Sequence, residues 1–545
     1  MNEITDNQRR RFDELFYEIK PFGRYQVVCF AVMLFTTISF AGNSSGSYLS
    51  LGGLKPLYTC HDGHLNESSA NADADVCLLI RNCTNLTVAS DFYSLYEEFE
   101  WACLPSYAIT SIASFMPLGS VVGYLCGGHL ADHFGRKTVF LYGFLCYYIL
   151  GVAMALVADW ETYMVLSLVK GICATTATGP AFTLLQESVG KRYRLLQSFA
   201  FHWTYGYMIA GLLAYVLRNW RHFLLTVNGI CLPSVVAVLL MAESPRWLLQ
   251  KRRYKDAAIA LNRIAWVNGR GRNRFTADEL KHVDVGDTKS RRRYNSLHLL
   301  SNRTLALYSL SQVLTGCTMN VAFMVILMGI QDLAGSPFLN TSLLGALRVW
   351  TPFFAIAFEQ NFSWFGRRAL LLGTLAAMAC CFVLMCVIYA AGLWLRFHWL
   401  ATGLGLFGYA IGVGLLWNAY KQLTTELFPT VVRVIAIGTF SCLTLAGAVV
   451  GPQLIYLKNY WFAMPYAGTA IFAMTAFIVA YFVIPETRGR VLFDTLEELN
   501  EHQVMVKREN RNQLTTNKTQ LQHESPPLLR ESKLANRLVT PTSTL

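Results

Sequence analysis

Apolar runs of roughly 20 residues recur along the chain, each long enough to cross a hydrocarbon core about 30 Å thick. They lie near residues 21–42, 105–131, 138–158, 162–188, 195–217 and 220–241, then near 304–330, 338–360, 368–391, 397–422, 430–456 and 461–484. Two long polar stretches interrupt them, 43–104 after the first run and 243–303 after the sixth. The pattern predicts an all-α membrane protein with twelve transmembrane helices in two six-helix bundles and a large loop after helix one. The expected parts are an amphipathic start over 1–20, an N-terminal bundle over 21–242, a connecting loop over 243–303, a C-terminal bundle over 304–484 and a tail over 485–545. The tail is rich in Asn, Gln, Ser and Thr and reads as mostly disordered. The first apolar run is too long for a signal-peptide core, so it is expected to remain as helix one.

Composition agrees with lipid as the solvent. Of 545 residues, 54% are hydrophobic and 15% charged, well below the quarter typical of soluble domains. A net charge of +12 would suit nucleic acid, but the basic residues cluster in a few loops. Residues 43–104 hold two Lys/Arg against eight Asp/Glu, and residues 243–303 hold fifteen against six. The positive-inside rule then puts the first loop outside the plasma membrane, and the second loop and both termini in the cytoplasm. The first loop carries Cys60, Cys77, Cys83 and Cys103. Two disulfides are expected there, with three pairings open. Sequons at Asn66, Asn82 and Asn85 predict glycosylation of the same loop, while those at Asn302, Asn361 and Asn517 fall on the cytoplasmic side and should stay bare. No Gly-rich phosphate loop, HExxH, GxSxG or paired Cys-x2-Cys pattern is present. No enzyme, cofactor or metal is therefore expected, and no step driven by a bound nucleotide.

The two halves echo each other. Gly135-Arg136-Lys137 and Gly366-Arg367-Arg368 follow the second and eighth runs, Glu187 and Glu426 each precede an arginine (Arg194, Arg433) by seven residues, and Glu243 and Glu486 end the sixth and twelfth runs. The order predicts a six-plus-six duplication with a binding site between the halves. Gly119, Gly123 and Gly127 share one helical face and should let another helix approach closely. Asp132 ends the second helix beside a tight basic turn, where it can accept from a neighbouring helix N-terminus and pair with arginines. With Arg246 and the repeated residues just named, it is expected to form a cytoplasmic gate that breaks as the halves rock.

Gly128-x3-Asp132-x2-Gly135-Arg136-Lys137 resembles the loop after helix two in the major facilitator superfamily. ESPRWLL (Glu243 to Leu249), TELFPTVVR (Thr425 to Arg433) and PETRG (Pro485 to Gly489) resemble the organic ion transporter family, over roughly residues 12–495. That family carries organic cations, anions and zwitterions such as carnitine. The resemblance implies alternating-access transport of a small organic ion. Two of these motifs are shared with sugar porters, which makes a sugar or polyol porter the alternative. Helix seven, LSQVLTGCTMN, lacks the sugar porters' Gln-Gln pair, and helix ten, GYAIGVGLLWNAY, lacks their Gly-Pro-rich turn. A non-transporting receptor or scaffold on the same fold is the other alternative.

A charge inside a span is costly unless paired or wet, so Lys170 and Arg348 are candidate substrate residues expected to face the central cavity. Lys421 lies near the cytoplasmic end of helix ten, where it could snorkel. The resemblance bears on substrate charge. Cation carriers of the family have an acid in helix eleven about seven residues before a proline, and anion carriers an arginine; here Leu445 precedes Pro452. The cation carriers' helix-eight glutamate is replaced by Arg348, Val349 and Trp350. Electrostatics thus favours anionic or zwitterionic substrates, although aromatic faces can hold a cation without a counter-charge. Further substrate-facing candidates are Phe35, Asn320, Phe323, Trp350, Trp417, Asn418 and Tyr420, with Asn418 standing where the family's cation carriers have a glutamine. Tyr205 in helix five is an aromatic candidate of the same kind, and His202 in that helix could titrate, although a lone histidine is more often structural.

Overall fold

The computed structural model describes residues 12–48, 56–60, 73–104, 106–190, 203–230, 232–271, 274–283, 295–362, 366–488 and 498. Among these, ten helical segments are long and apolar enough to cross a membrane. The first span, Arg24–Tyr48, runs past Gly42 and draws Asn43 and Ser45 into the protein interior. Both are accommodated because their side chains find acceptors within the helix, Asn43 at the Ser39 carbonyl and Ser45 at the Ala41 carbonyl. The second to fourth spans are Ser106–Phe134, Arg136–Leu156 and Trp160–Glu187. Asp159 caps the fourth by accepting from the Thr162 amide at 2.8 Å. The fifth is seen over Thr204–Leu217 and the sixth over Trp220–Ile230 and Leu232–Leu240.

In the C-terminal half the seventh span is Arg303–Met328, the ninth Arg367–Ala390, the tenth His398–Leu427, the eleventh Thr430–Tyr456 and the twelfth Met464–Val483. The eighth departs from the expected single helix. It forms two pieces, Pro337–Ala346 and Thr351–Asn361, joined by a turn that contains Arg348. Pro352 explains the break: it has no N–H to give and its ring would strike the carbonyl four residues earlier, that of Arg348. That carbonyl instead accepts from the Thr351 hydroxyl at 2.8 Å.

The glycine face of the second span does what its spacing predicted. A side chain at Gly119, Gly123 or Gly127 would strike Leu168, Ile172 or Thr176 of the fourth span, so backbones meet directly there. Among the described residues, two helix pairs make the most extensive contacts between the halves. Ser342 of the eighth span donates to the Met208 carbonyl of the fifth at 3.2 Å, and Gly211 and Gly345 allow that pair to close. Ser114 of the second span donates to the Val449 carbonyl of the eleventh at 3.0 Å and accepts from Gln453.

The loop after the first span is built on two disulfides, Cys60–Cys83 and Cys77–Cys103, and an antiparallel pair of strands, Leu57–Cys60 with Leu86–Ala89. Its Glu98 pairs with Arg221 and accepts from Trp220 Nε1 at 2.6 Å, while Arg221 also donates to the Ala155 and Val157 carbonyls. The loop is thereby seated on one end of the N-terminal half, the loop face. The opposite end, the motif face, carries a helical cap made of Phe12–Glu18, Pro245–Gln250, Tyr254–Val267 and Ala277–Leu280. Phe12, Leu15, Phe16 and Ile19 are buried in one core with Trp247, Leu261 and Ile264. Asn268 pins the cap: it accepts from the Tyr25 amide and donates to the Ile19 carbonyl, both at 2.9 Å.

Candidate functional site

The turn in the eighth span faces an irregular stretch of the tenth. Residues Ala410–Leu415 form one π-helical turn, a feature that recurs at functional positions. Arg348 bridges the two irregularities, donating from Nη2 to the Val413 carbonyl at 3.3 Å and from Nη1 to the Tyr409 hydroxyl at 3.5 Å. Its guanidinium lies 5.9 Å from the centre of the Tyr409 ring. Arg348 is buried, and its Nε has no acceptor among the described residues. Among the described residues it enters no ion pair.

An aromatic wall continues from this arginine across to the N-terminal half. Tyr409 stands 6.2 Å from Phe323 of the seventh span, and Phe323 stands 6.1 Å from Tyr207 of the fifth, centre to centre. Tyr207 in turn stacks on Trp203. Trp350, in the turn itself, packs edge-on against Phe354. Phe323 is thus linked to Arg348 through the Tyr409 ring, and Trp350 lies two residues along the same turn. Tyr409 and Tyr207 were missed; the signal for Tyr409 was its place beside the glycines of GYAIGVG, where a helix is easily distorted.

A second group lies closer to the motif face. Trp417 stacks on Tyr420, and Lys421 Nζ sits 5.0 Å from the Trp417 ring and 5.8 Å from Phe182 of the fourth span. Trp417 and Lys421 are exposed there. Asn418 Nδ2 is buried with no acceptor among the described residues. Asn320 bonds back to the Gly316 carbonyl of its own helix at 2.9 Å. Phe35 is exposed on the first span, 47% of its surface free.

Lys170 does not lie on an open wall. It is 1% exposed inside the N-terminal half, donating to Asn43 Oδ1 at 2.7 Å and resting 5.0 Å from the Tyr147 ring. Asn43 is held in turn by Asn228 of the sixth span at 3.0 Å. The added turn of the first span brought Asn43 within reach, and that extension was not apparent from the hydrophobic pattern.

The repeated motif residues form two like clusters on the motif face. In the N-terminal half Arg136 pairs with Glu187 at 3.5 Å and Asp132 at 3.1 Å, Ser244 donates to Glu187, and Glu243 accepts from the Lys137 amide at 2.9 Å. In the C-terminal half Arg367 pairs with Glu426 at 3.1 Å, Thr487 donates to Glu426, and Glu486 accepts from the Arg367 and Arg368 amides. The helix N-terminus is therefore received by Glu243, and among the described residues Asp132 pairs across its own turn with Arg136. Gly135 and Gly366 leave room for Glu243 and Glu486, and Gly135 takes the positive φ that its turn requires. Arg433 donates to the Phe428 carbonyl and Arg246 lies over Phe12. Arg194, His202 and Asn66 lie outside the described residues.

Two helical halves, each with its copy of the charge cluster, meet a matching family model, sugar (and other) transporter, over residues 62–501. The chain belongs to that family. Transporters of this family are not enzymes, and this member is a multi-pass major facilitator protein. It is related to the solute carrier 22 proteins. The human organic cation/carnitine transporter 2 is 25% identical over 74% of this chain and 72% of its own length. Bovine solute carrier family 22 member 1 is 27% identical over 76% and 72%. The fold matches that of the xylose transporter XylE from E. coli in a partially occluded inward-open conformation, with a TM-score of 0.58 and 16% identity over 86% of this chain and all of that one.

Proposed function

We propose that this transporter moves a small organic ion bearing a carboxylate, an anion or a zwitterion such as carnitine, across the plasma membrane by alternating access. The loop face is outside and the motif face and both termini are cytoplasmic. The observation that carries the reading is Arg348: a buried cation with a free donor, no acid partner among the described residues, and an aromatic wall beside it. A buried charge left without a partner is costly, and a carboxylate seated on the guanidinium would remove that cost. Phe323, Trp350, Tyr409 and Tyr207 would enclose the organic body, and Trp417, Asn418 and Tyr420 would line the route to the cytoplasm. Phe35 and Asn320 are assigned to the outer parts of the same route. Lys170 acts from behind the wall by holding Asn43 and Asn228. The organic cation/carnitine transporter among the relatives supports an organic ion as cargo.

The test is uptake by cells expressing the protein, with labelled carnitine, an aromatic carboxylate and a quaternary ammonium cation side by side. Saturable carnitine or carboxylate uptake without cation uptake is expected. Saturable uptake of the cation alone, or of a labelled hexose alone, would overturn the assignment.

A further inference from the structure

The helical cap on the motif face has one side that its own core does not use. Along the Tyr254–Val267 helix, Ala257, Ala258, Leu261, Ile264 and Ala265 are buried. On the outward side stand Lys255, Ile259, Arg263 and Trp266, spaced four, four and three apart and all exposed. Ile259 is 67% and Trp266 52% exposed. A merely solvated face would be polar throughout; this one alternates cations with large apolar groups, the pattern of a helix lying in a membrane interface.

Its position fits that use. The helix follows the sixth span with only the Pro245–Gln250 helix between them. Arg263 is within electrostatic reach of Lys137 at the start of the third span, and Lys137 donates to the Leu239 carbonyl at the end of the sixth. Leu239, Leu240 and Tyr142, each more than half exposed, mark that edge as the border of the lipid-facing surface. Residues 251–274 hold eight Lys/Arg and one acid. That acid, Asp256, is taken by Arg253, and Arg274 by Glu18. Lys255 and Arg263 enter no ion pair among the described residues.

We infer that the Lys255–Ile259–Arg263–Trp266 face of the cap is a docking surface for the anionic phospholipid headgroups of the adjoining leaflet, the cations meeting phosphate or carboxylate and Ile259 and Trp266 entering the headgroup layer. The surface needs only a bilayer beside the motif face, and so is independent of which solute is carried.

Purified full-length protein in nanodiscs of phosphatidylcholine with added phosphatidylserine provides the test, read as the ratio of the two lipids retained in native mass spectrometry. Each cation at an anionic surface gives roughly a fivefold preference, so Lys255→Gln with Arg263→Gln should lower phosphatidylserine enrichment by up to about 25-fold. Arg396→Gln, a cation on the loop face, should leave it unchanged. Ile259→Ser with Trp266→Ser should lower retention of both lipids. If the double glutamine variant folds poorly, raised salt on the wild type must erase the enrichment instead. Equal enrichment in wild type and variant, or enrichment insensitive to salt, would overturn the proposal. So would displacement of the lipid by inositol hexakisphosphate at equal phosphate concentration, which would make the ligand a soluble anion.

Discussion

Glu426 does in the C-terminal half what Glu187 does in the N-terminal half: each takes an arginine from the start of the preceding span, Arg367 or Arg136, and a hydroxyl from the segment after the last span of its half, Thr487 or Ser244. Neither glutamate reaches across to the other half among the described residues. The clusters therefore tie helices together within each half. The Arg367–Glu426 pair is only about one-fifth exposed, so stranding one member should cost on the order of 1–3 kcal/mol. Glu426→Gln and Arg367→Gln should each lower the melting temperature in detergent, and the double variant should be little worse than either. Additive losses would show that the two act separately.

Much of this architecture was legible in the chain. The spans, the repeat and the glycine face of the second helix follow from apolar length, motif order and spacing, because membrane helices must satisfy their own backbone. The break in the eighth span was not legible as such, although Pro352 was in view; a proline inside an apolar run can kink, start or be absorbed by a helix, and tertiary packing decides. The partners of Arg348 were hidden for a similar reason. The π-helical turn that presents Val413 depends on Gly412 and Gly414 lying against Met378 and Thr351, contacts between distant segments that no local pattern encodes. A charge within a span signals function by default, and nothing local in the sequence showed the enclosure of Lys170, because its amide partner Asn43 lies 127 residues away.

The disulfide pairing should be readable directly. Proteolysis of the unreduced protein should release linked peptides joining Cys60 to Cys83 and Cys77 to Cys103. Each closes a loop of just over twenty residues, worth about 3 kcal/mol through the unfolded chain. Cys77→Ser with Cys103→Ser should therefore reduce surface delivery strongly. Peptides joining Cys60 to Cys77 would refute the pairing.

Closure of the loop face rests on Gly345, whose missing side chain lets the eighth span meet Thr204 and Met208 of the fifth. Gly345→Leu should hold those helices apart and favour the state open to the loop face. A cysteine at Ser342 reports this: an impermeant maleimide added from the loop side should label it several-fold faster in the Gly345→Leu background. Unchanged labelling would mean that the two helices do not part during the cycle.

Arg348 offers a sharper test of substrate chemistry. Arg348→Lys keeps a cation but loses the planar fork that engages Val413 and Tyr409 together, whereas Arg348→Gln removes the charge. Carboxylate uptake per surface molecule should fall at least tenfold in Arg348→Gln and less in Arg348→Lys. Equal uptake in all three would remove Arg348 from the substrate site.

Lys170 tests whether a buried charge serves the cargo or the bundle. Its ammonium is enclosed by Asn43 and the Tyr147 ring, with Asn228 behind Asn43. Replacing a buried charge with an apolar group of like volume is often neutral, while removing its partner leaves the charge stranded. Lys170→Met should therefore reach the surface and keep its KM near the wild-type value, and Asn43→Ala should lower surface delivery more than Lys170→Met does. The combination Lys170→Met with Asn43→Ala should recover part of that loss, because no charge is left to strand. A large rise in KM for Lys170→Met, with delivery intact, would instead put the lysine in contact with substrate in another state of the cycle. That result would require the first and fourth spans to separate around Asn43 when the transporter turns over.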